Sequence, residues 1–514
     1  MNAAMPRNRS ASPAPRRVPD GAVKPWPLSW YPEAVVVSAV AFITRLWRLG
    51  QPNAVVFDEA PYEQYASHYL TGTYYFNLHP PVGKLMLAAG AWFLGVPAET
   101  LAAPAPALAL RVVPALAGAL VIPVFWLLLR QLGANRRVAF LGALLLAFDN
   151  ALLTASRFIL IDSFLLLFIL GAVTAWLAAR RRTGRARWMW VGVSAVLCGL
   201  ALGTKWTGLG ALGVVGVVWL RDALARPAAV IGRNADGAVS ATSAARAAPS
   251  RRIAGEAAVL AVAPAAVYVA AFAVHFALLP RTGSDAAVMS PAFRETLMGG
   301  DSYRSDARVS LARKLADVHA AMRAGNAAYV TATHASASPW WSWPILKHPI
   351  YAWQGNSVTA TRSGHVLMVG NLVVWWAALF GMGAIIVALV RGGTGRARLR
   401  THRNALLLVA TAWVINFLPF AFVTRILFLY SYLPAFTFSV ALATLGAGAL
   451  AGWSEGDDTR PWRFPSRRSA ACYWGVVALA AANFVFFAPL SYGTPISDAA
   501  FRARTWVLER HVFR

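Results

Sequence analysis

The sequence consists of long apolar runs separated by short clusters of arginine, and this alternation constrains the fold more than any other feature. A membrane-spanning helix needs about 20 mostly apolar residues, and runs of this kind recur along the chain. Charged residues make up only 13% of the 514 residues, too few to cover the surface of a soluble protein of this size. The pattern therefore predicts an all-α polytopic membrane protein and excludes soluble, disordered and disulfide-rich classes.

Eleven apolar runs are predicted to cross the membrane. They lie at about 31–49, 110–129, 138–150, 163–179, 188–203, 207–220, 256–279, 366–390, 405–423, 427–451 and 471–490. A twelfth run, 82–96, is better explained as an interfacial or re-entrant helix on the outer face. If this run crossed the membrane, every later arginine cluster would change sides.

The net charge of +27 follows the same alternation. In a soluble protein such an excess would suggest nucleic acid, but basic residues beside membrane spans hold loops in the cytoplasm. With 82–96 left outside, 28 basic residues fall in loops on one side, so we expect a topological role and no nucleic-acid partner. Only 5 of the 48 basic residues are lysine, which is typical of a GC-rich bacterial genome. We therefore expect a bacterial plasma (inner) membrane, with the N-terminus cytoplasmic and the C-terminus and active site extracytoplasmic.

The spans divide the chain into five predicted regions. These are a disordered basic cytoplasmic tail (1–30), an N-terminal transmembrane module (31–279) with a catalytic outer loop (50–109), an extracytoplasmic loop (280–365), C-terminal transmembrane helices (366–490) and an extracytoplasmic tail (491–514).

The first outer loop concentrates the residue types that carry chemistry. Asp58 and Glu59 follow the first span directly, and His79 and Lys84 lie further along the same loop. Taken alone, the acid pair could be solvated, the histidine could belong to a turn and the lysine could anchor at the interface. Together in one outer loop, they indicate a site of acid–base chemistry.

Several ordered blocks resemble the protein O-mannosyltransferase family. They are Phe57-Asp58-Glu59, Tyr69-Leu70-Thr71-Gly72, His79-Pro80-Pro81-Val82-Gly83-Lys84, Leu110-Arg111, Phe148-Asp149-Asn150, Ser156-Arg157-Phe158 with Asp162, Gly203-Thr204-Lys205-Trp206-Thr207-Gly208, His334 with Trp340, and Leu429-Tyr430-Ser431-Tyr432-Leu433-Pro434. The similarity covers roughly residues 30–490. Two departures matter: there is no room between Pro291 and His334 for the MIR domain of eukaryotic members, and Ser431 stands where the family usually has histidine.

The resemblance implies a GT-C glycosyltransferase with about 11 transmembrane helices and interfacial helices on the outer face. It implies an inverting enzyme that moves mannose from a polyprenyl monophosphate to Ser or Thr hydroxyls of translocated secreted or membrane proteins. A GT-C enzyme that uses another lipid-linked sugar, or a lipid or glycan acceptor, stays open. A transporter is less favoured, because the ionisable residues cluster in outer loops and no internal repeat is visible.

Within this scheme each candidate residue has an expected role. Asp58 is the expected base, because a hydroxyl is a poor nucleophile until its proton is removed, and Glu59 would orient the acceptor or Asp58. The basic residues at outer span ends are expected to bind the donor phosphate: Arg111, Arg157, Lys205 and Arg425. The expected supporting residues are His79, Lys84 and Asp162. No metal-ligand spacing is visible, although the acids and histidines outside leave a divalent metal ion open, and the sequence does not specify the oligomeric state.

Overall fold

A computed structural model describes residues 31–103, 107–224, 244–355, 362–456 and 458–506. The helices are α1 (Pro32–Leu46), α2 (Glu59–Thr71), α3 (Val82–Phe93), α4 (Ala98–Ala102), α5 (Val112–Gln131), α6 (Arg136–Ala147), α7 (Asn150–Arg157), α8 (Asp162–Arg180), α9 (Gly184–Thr204), α10 (Leu209–Leu224), α11 (Ala244–Leu278), α12 (Pro291–Arg294), α13 (Leu311–Ala328), α14 (Leu372–Arg391), α15 (Gly393–Thr401), α16 (Arg403–Phe417), α17 (Leu433–Leu450), α18 (Arg467–Tyr492) and α19 (Asp498–Thr505). The strands are β1 (Ile350–Gln354), β2 (Arg362–Ser363), β3 (His365–Met368) and β4 (Ile496–Ser497). The predicted tail 1–30 lies outside the described residues.

Nine helical stretches in these described ranges are long and apolar enough to cross a membrane. They are Leu108–Gln131, Asp162–Arg180, Gly184–Thr204, Trp206–Leu224, Arg251–Leu278, Leu372–Arg391, Arg403–Phe422, Leu429–Leu450 and Arg467–Tyr492. The pair α6 and α7, bent by 60° at its junction, makes a tenth, and α1 corresponds to the first predicted run. The prediction of a helical, many-span membrane protein is therefore confirmed, and the run 82–96 contains the separate, 12-residue helix α3.

The spans differ in how far other helices cover them. In α8, and in α17 with the turn before it, 83% and 89% of the apolar stretch is buried inside the protein. The corresponding shares are only 17% for α11 and 22% for α14 and for α18. Their exposed side chains include Val262, Val390 and Leu479, which would be costly in water but can contact lipid tails. Helices α8 and α17 therefore form the centre of the bundle, and α11, α14 and α18 its lipid-facing periphery.

The junction between α6 and α7 is held by the buried carboxylate of Asp149. It accepts the backbone N–H of Leu152 at 2.8 Å and thereby caps the start of α7. It also accepts the backbone N–H of Asn371 at 2.9 Å and the indole N–H of Trp375 at 2.7 Å. Since an unpaired polar group is expensive in a low-dielectric interior, these bonds allow the span to break there.

Two small antiparallel sheets, which the sequence analysis does not predict, join segments between the spans. Strand β1 pairs with β3, and β2 pairs with β4. Because β3 takes up the first residues of the predicted span 366–390, α14 begins only at Leu372. Strand β4 brings the predicted tail 491–514 back against β2. Strands of two to five residues are too short to leave a periodic pattern in the sequence.

The arginine clusters that the sequence assigns to one side meet at one face of the bundle. Ion pairs join the loops there: Arg136 with Glu33, Arg130 with Asp458, Arg180 with Asp222, Arg187 with Glu256 and Arg398 with Glu455. Loops predicted to share a side are therefore neighbours in space. Which side of the membrane this basic face occupies stays a prediction.

We expect Thr71 and Thr394 to lie on opposite sides of the membrane. Both are exposed, Thr71 at the end of α2 and Thr394 in α15 beside the basic face. In a Cys472→Ser background, which removes the exposed cysteine, Thr71→Cys should react with an impermeant maleimide in intact cells. Thr394→Cys should react only after permeabilisation. Labelling of position 394 but not position 71 in intact cells would contradict this topology.

Candidate active site

A cavity at one end of the bundle collects side chains from distant parts of the chain. Its lining includes His79, Asp162, Lys205, Arg425 and Tyr430. The Lys205 ammonium lies 2.8 Å from a carboxylate oxygen of Asp162 and 4.7 Å from the centre of the Tyr430 ring. Arg425 has neither a hydrogen bond nor an ion pair with any described residue. The cavity thus holds one paired and one unpaired cation.

Glu59 is completely buried, and its carboxylate is fully occupied. Arg111 donates to it twice, through Nε at 2.8 Å and Nη2 at 2.7 Å. The backbone N–H groups of Val56 and Ile159 donate to it at 2.9 and 3.0 Å. With four donors and no exposed surface, Glu59 cannot contact an acceptor. Of the two roles expected for Glu59, this geometry fits the orientation of Asp58, and its part in catalysis stays a prediction.

Asp58, the neighbouring acid, has the opposite surroundings. Its side chain is exposed, and no described residue donates a hydrogen bond to its carboxylate. The preceding Phe57 has a φ of 53°, rare for a bulky residue, and its N–H donates to the carbonyl of Ala352 in β1 at 3.1 Å. The Phe57 ring also packs against Tyr430, with centroids 6.4 Å apart. A turn held from both sides therefore presents a free carboxylate beside the cavity.

The charges around the cavity act on Asp58. Partial displacement of water by surrounding protein raises the pKa of the Asp58 carboxyl above its usual value. Lys205 opposes this rise, Asp162 adds to it, and His334 opposes it again. A carboxylate with a raised pKa is a stronger base than an ordinary aspartate, provided that the pH is high enough to ionise it.

Lys84 supports the wall of the cavity that carries His79. Its ammonium donates to the side-chain oxygen of Asn77 at 2.9 Å and to the carbonyl of His79 at 2.5 Å. These bonds hold the turn from which the His79 ring lines the cavity. Burial lowers the pKa of His79 well below its usual value, and Lys205, Lys84 and Arg425 lower it further. The imidazole is therefore neutral near pH 7.

Gly83 lets helix α3 approach the segments that carry the charged pair. A Cβ at this position would lie 2.8 Å from the side chain of Ile161 and 3.2 Å from that of Thr204. These two residues directly precede Asp162 and Lys205. A larger side chain at position 83 would consequently push α3 away from both.

Arg111 and Arg157 do not line the cavity. All of the Arg111 nitrogens and both terminal nitrogens of Arg157 donate to other groups, whereas the buried Nε of Arg157 has no partner among the described residues. Besides Glu59, Arg111 donates to the backbone carbonyls of Leu49, Pro52 and Ala54. Arg157 donates to the carbonyls of Arg45, Trp47, Arg48 and Gln51. Of the four cations expected to bind the donor phosphate, the structure brings Lys205 and Arg425 together in the cavity and leaves Arg111 and Arg157 outside it. Arg111 neutralises Glu59, and Arg157 closes the end of α1.

Three residues near the cavity have no assigned role in the sequence analysis: His334, Trp206 and Asn326. His334 acts on the pKa of Asp58, and Trp206 and Asn326 line the cavity. Trp206 directly follows Lys205, so this adjacency was a usable signal. Asn326 belongs to α13, and no pattern in the sequence places that helix against the cavity.

The sequence leaves a divalent metal ion open, and the structure shows how the possible metal ligands are arranged. In the described stretches of chain, no group of three or more His, Cys, Asp or Glu side chains is arranged to hold a metal ion. The carboxylate of Asp162 instead contacts the ammonium of Lys205.

The helical bundle has the fold of GT-C glycosyltransferases, as two solved structures show. The chain resembles the Saccharomyces cerevisiae Pmt1-Pmt2 protein O-mannosyltransferase complex bound to its sugar donor. That match has a TM-score of 0.78 at 18% identity and covers 92% of this chain and 91% of that one. An Archaeoglobus fulgidus oligosaccharyltransferase matches with a TM-score of 0.50 at 14% identity, over 92% of this chain and 57% of that one. At these identities, both matches show the fold.

The sequence narrows the class to one family. The model described as dolichyl-phosphate-mannose-protein mannosyltransferase matches residues 35–280, and the C-terminal four-TMM region of protein-O-mannosyltransferase matches residues 311–510. The chain belongs to the protein O-mannosyltransferase family. Protein O-mannosyl-transferase 1 of Rattus norvegicus is 32% identical over 52% of this chain, and a Candida albicans dolichyl-phosphate-mannose--protein mannosyltransferase 30% over 51%. These matches span about a third of the relatives' own length, 36% and 35%.

Glu59→Gln should destabilise the protein, because it leaves the Arg111 guanidinium buried without a counter-charge. Removing one partner of a buried ion pair costs about 3–5 kcal/mol. Thermal unfolding in detergent should therefore show a clearly lower midpoint for this variant. Arg425→Met, at a cation without a described partner, should unfold close to the parent. Equal midpoints for Glu59→Gln and the parent would argue against the structural role of the pair.

Proposed function

We propose that this protein transfers mannose from a polyprenyl monophosphate to Ser or Thr hydroxyls of proteins, with inversion at the anomeric carbon. The observation that carries the proposal is the free carboxylate of Asp58 beside a cavity lined by Lys205 and Arg425. Family membership supports the choice of sugar and acceptor, since the matching model is described by dolichyl-phosphate-mannose and protein. The lipid-facing helices of the bundle suit a donor with a polyprenyl tail.

In this mechanism Asp58 is the general base. The acceptor oxygen forms a bond to C1 of mannose while its proton passes to the Asp58 carboxylate. At the same time the bond between C1 and the phosphate oxygen breaks, and polyprenyl monophosphate leaves with the electron pair. Because the acceptor attacks the face opposite the phosphate, the configuration at C1 inverts. The exposure of Asp58 allows a polypeptide to approach from solvent.

Lys205 and Arg425 stabilise the phosphate. Negative charge on the leaving phosphate grows as the glycosidic bond breaks, and cations fixed nearby stabilise that change. The charge of Lys205 is partly balanced by Asp162, whereas Arg425 has no described partner. Arg425 is therefore the cation most available for charge-assisted bonds to the donor.

We infer that the reaction takes place on the extracytoplasmic face of a bacterial plasma membrane. Helix α8 begins with Asp162 at the cavity and ends with Arg180 on the basic face, so the two lie at opposite ends of the bundle. Basic loops favour the cytoplasmic side, which leaves the cavity outside. An acceptor would then meet the enzyme after translocation.

The direct test is transfer by the purified full chain in lipid nanodiscs. Polyprenyl-phosphate mannose with a radiolabelled sugar should yield a labelled Ser/Thr-rich peptide together with polyprenyl monophosphate. The same peptide with every Ser and Thr replaced by Ala should stay unlabelled. Transfer only to lipid or glycan acceptors would favour the alternative GT-C activity, and no transfer from the lipid donor to any acceptor would overturn the proposal.

Asp58→Asn keeps the size of the side chain but removes the base. We expect kcat to fall by about 10²–10⁴, the usual contribution of a general base, with donor binding nearly unchanged. Since the base must be ionised and its surroundings raise its pKa, kcat/KM of the parent should fall as the pH drops through that raised pKa. The variant should lack this acid limb. Activity within a few-fold of the parent would remove Asp58 from the base role.

Arg425→Met should weaken the donor site while leaving the base in place. A hydrogen bond to a charged group contributes roughly 1.5–3 kcal/mol, so KM for the donor should rise about 10- to 150-fold. Arg308→Met is the matched control, because Arg308 is exposed in the outer loop and its Nη1 donates to backbone carbonyls, those of Ser305 and Ala307. If both variants changed KM equally, a specific phosphate contact by Arg425 would be excluded.

A further inference from the structure

We propose that His319 is a positioning residue that holds Trp206 as a wall of the donor cavity, acting through the hydroxyl of Tyr268. The inference rests on the proposed function and extends it to the outer helix α13. It concerns how the group attached to the donor phosphate, the mannosyl unit, is held.

Three side chains from three separate segments form one continuous chain of hydrogen bonds. The indole Nε1 of Trp206 lies 3.1 Å from the hydroxyl of Tyr268 in α11. That hydroxyl lies 2.8 Å from Nε2 of His319 in α13. The other ring nitrogen of His319, Nδ1, lies 2.7 Å from the backbone carbonyl of Leu315. Trp206 is the member of this chain that lines the cavity.

The direction of the bonds follows from the chemistry of the two ends. The carbonyl of Leu315 only accepts, so Nδ1 of His319 carries the proton, and in a neutral imidazole Nε2 is then the acceptor. The indole N–H of Trp206 only donates. The Tyr268 hydroxyl must therefore donate to His319 and accept from Trp206. Each member has one arrangement that satisfies it, and this fixes the orientation of the indole.

Ring packing holds the same arrangement. The planes of Trp206 and His319 lie within 17° of each other, with centroids 6.4 Å apart. Phe272, one turn after Tyr268 on α11, packs against His319 and Tyr268, with its ring centroid 5.2 Å from that of each. A Trp206 side chain that rotated away would lose its hydrogen bond and its place against these rings. The wall is consequently defined by α11 and α13 together.

Because Trp206 lines the cavity, the hydrogen bonds that fix its indole bear on donor binding. Trp206 follows Lys205, one of the two proposed phosphate ligands, so a sugar attached to that phosphate lies within reach of the indole. Pockets bind small ligands by combining aromatic walls with a few polar groups, and Asn326 of α13 supplies one such group. Helix α13 therefore contributes to the cavity twice, directly through Asn326 and indirectly through His319.

The test compares variants that remove different members of the hydrogen-bond series from Trp206 to Leu315. His319→Phe and Tyr268→Phe keep the ring packing, but each removes two of the hydrogen bonds that link Trp206 to Leu315. KM for polyprenyl-phosphate mannose should therefore rise about two- to tenfold. The value of kcat should stay near the parent's, because a less well-held Trp206 weakens the binding of the donor equally in the ground state and in the transition state. The double variant should be no worse than either single one, since both break the same chain. His319→Gln, whose amide oxygen can accept from Tyr268, should restore KM towards the parent's value.

Tyr69→Phe is the matched control for a merely structural effect. Its hydroxyl bonds to Nδ1 of the buried His275 at the same distance, 2.8 Å, but neither residue lines the cavity. It should lower the unfolding midpoint without changing KM for the donor. An active parent with unchanged KM in both His319→Phe and Tyr268→Phe would overturn the positioning role, as would a loss of kcat alone. An inactive parent would instead overturn the proposed function.

Discussion

The buried ion pair between Glu59 and Arg111 stands where three parts of the chain meet: the start of α2, the entry to α5 and the segment before α8. Both charges are removed from water, which is unfavourable unless every polar atom is paired. Here the carboxylate has four donors, two of them backbone N–H groups, so the pair also fixes the main chain. The ion pair also fixes the position of the exposed Asp58, because Asp58 directly precedes Glu59 in the chain.

Hydrogen-bond partners also distinguish cations that have similar positions in the sequence. Arg111, Arg157, Lys205 and Arg425 all lie at or near the ends of apolar runs, and the spacing of residues cannot rank them. Arg111 is saturated with carbonyl and carboxylate acceptors, and the terminal nitrogens of Arg157 donate to carbonyls, whereas Lys205 and Arg425 line a cavity. Hydrogen-bond saturation depends on which backbone carbonyls converge in space. That information exists only once the chain is folded.

The many-span helical fold was predictable because the bilayer allows few alternatives: each crossing needs an apolar run, and the arginine clusters order the loops. For the site, the sequence pointed to the outer loop 50–109 and to the ordered sequence blocks that resemble a known family. Two features left no such signal. The short strand β1, which holds the turn at Phe57, has no visible period. Helix α13 carries His319 and Asn326, but its contact with Trp206 and Tyr268 depends on tertiary packing alone.

The contacts of Arg157 have a consequence for biosynthesis. Helix α1 is only 15 residues long, and its last carbonyls would be unpaired in an apolar setting. The guanidinium that satisfies the carbonyls of Arg45, Trp47 and Arg48 comes from 109 to 112 residues later in the chain. In a nascent chain, the carbonyls at the end of the first helix therefore lack these partners until α7, which follows the third predicted span, approaches. Insertion and folding of the N-terminal module are in this way coupled, and the first helix reaches its final form only when the bend at α7 has formed.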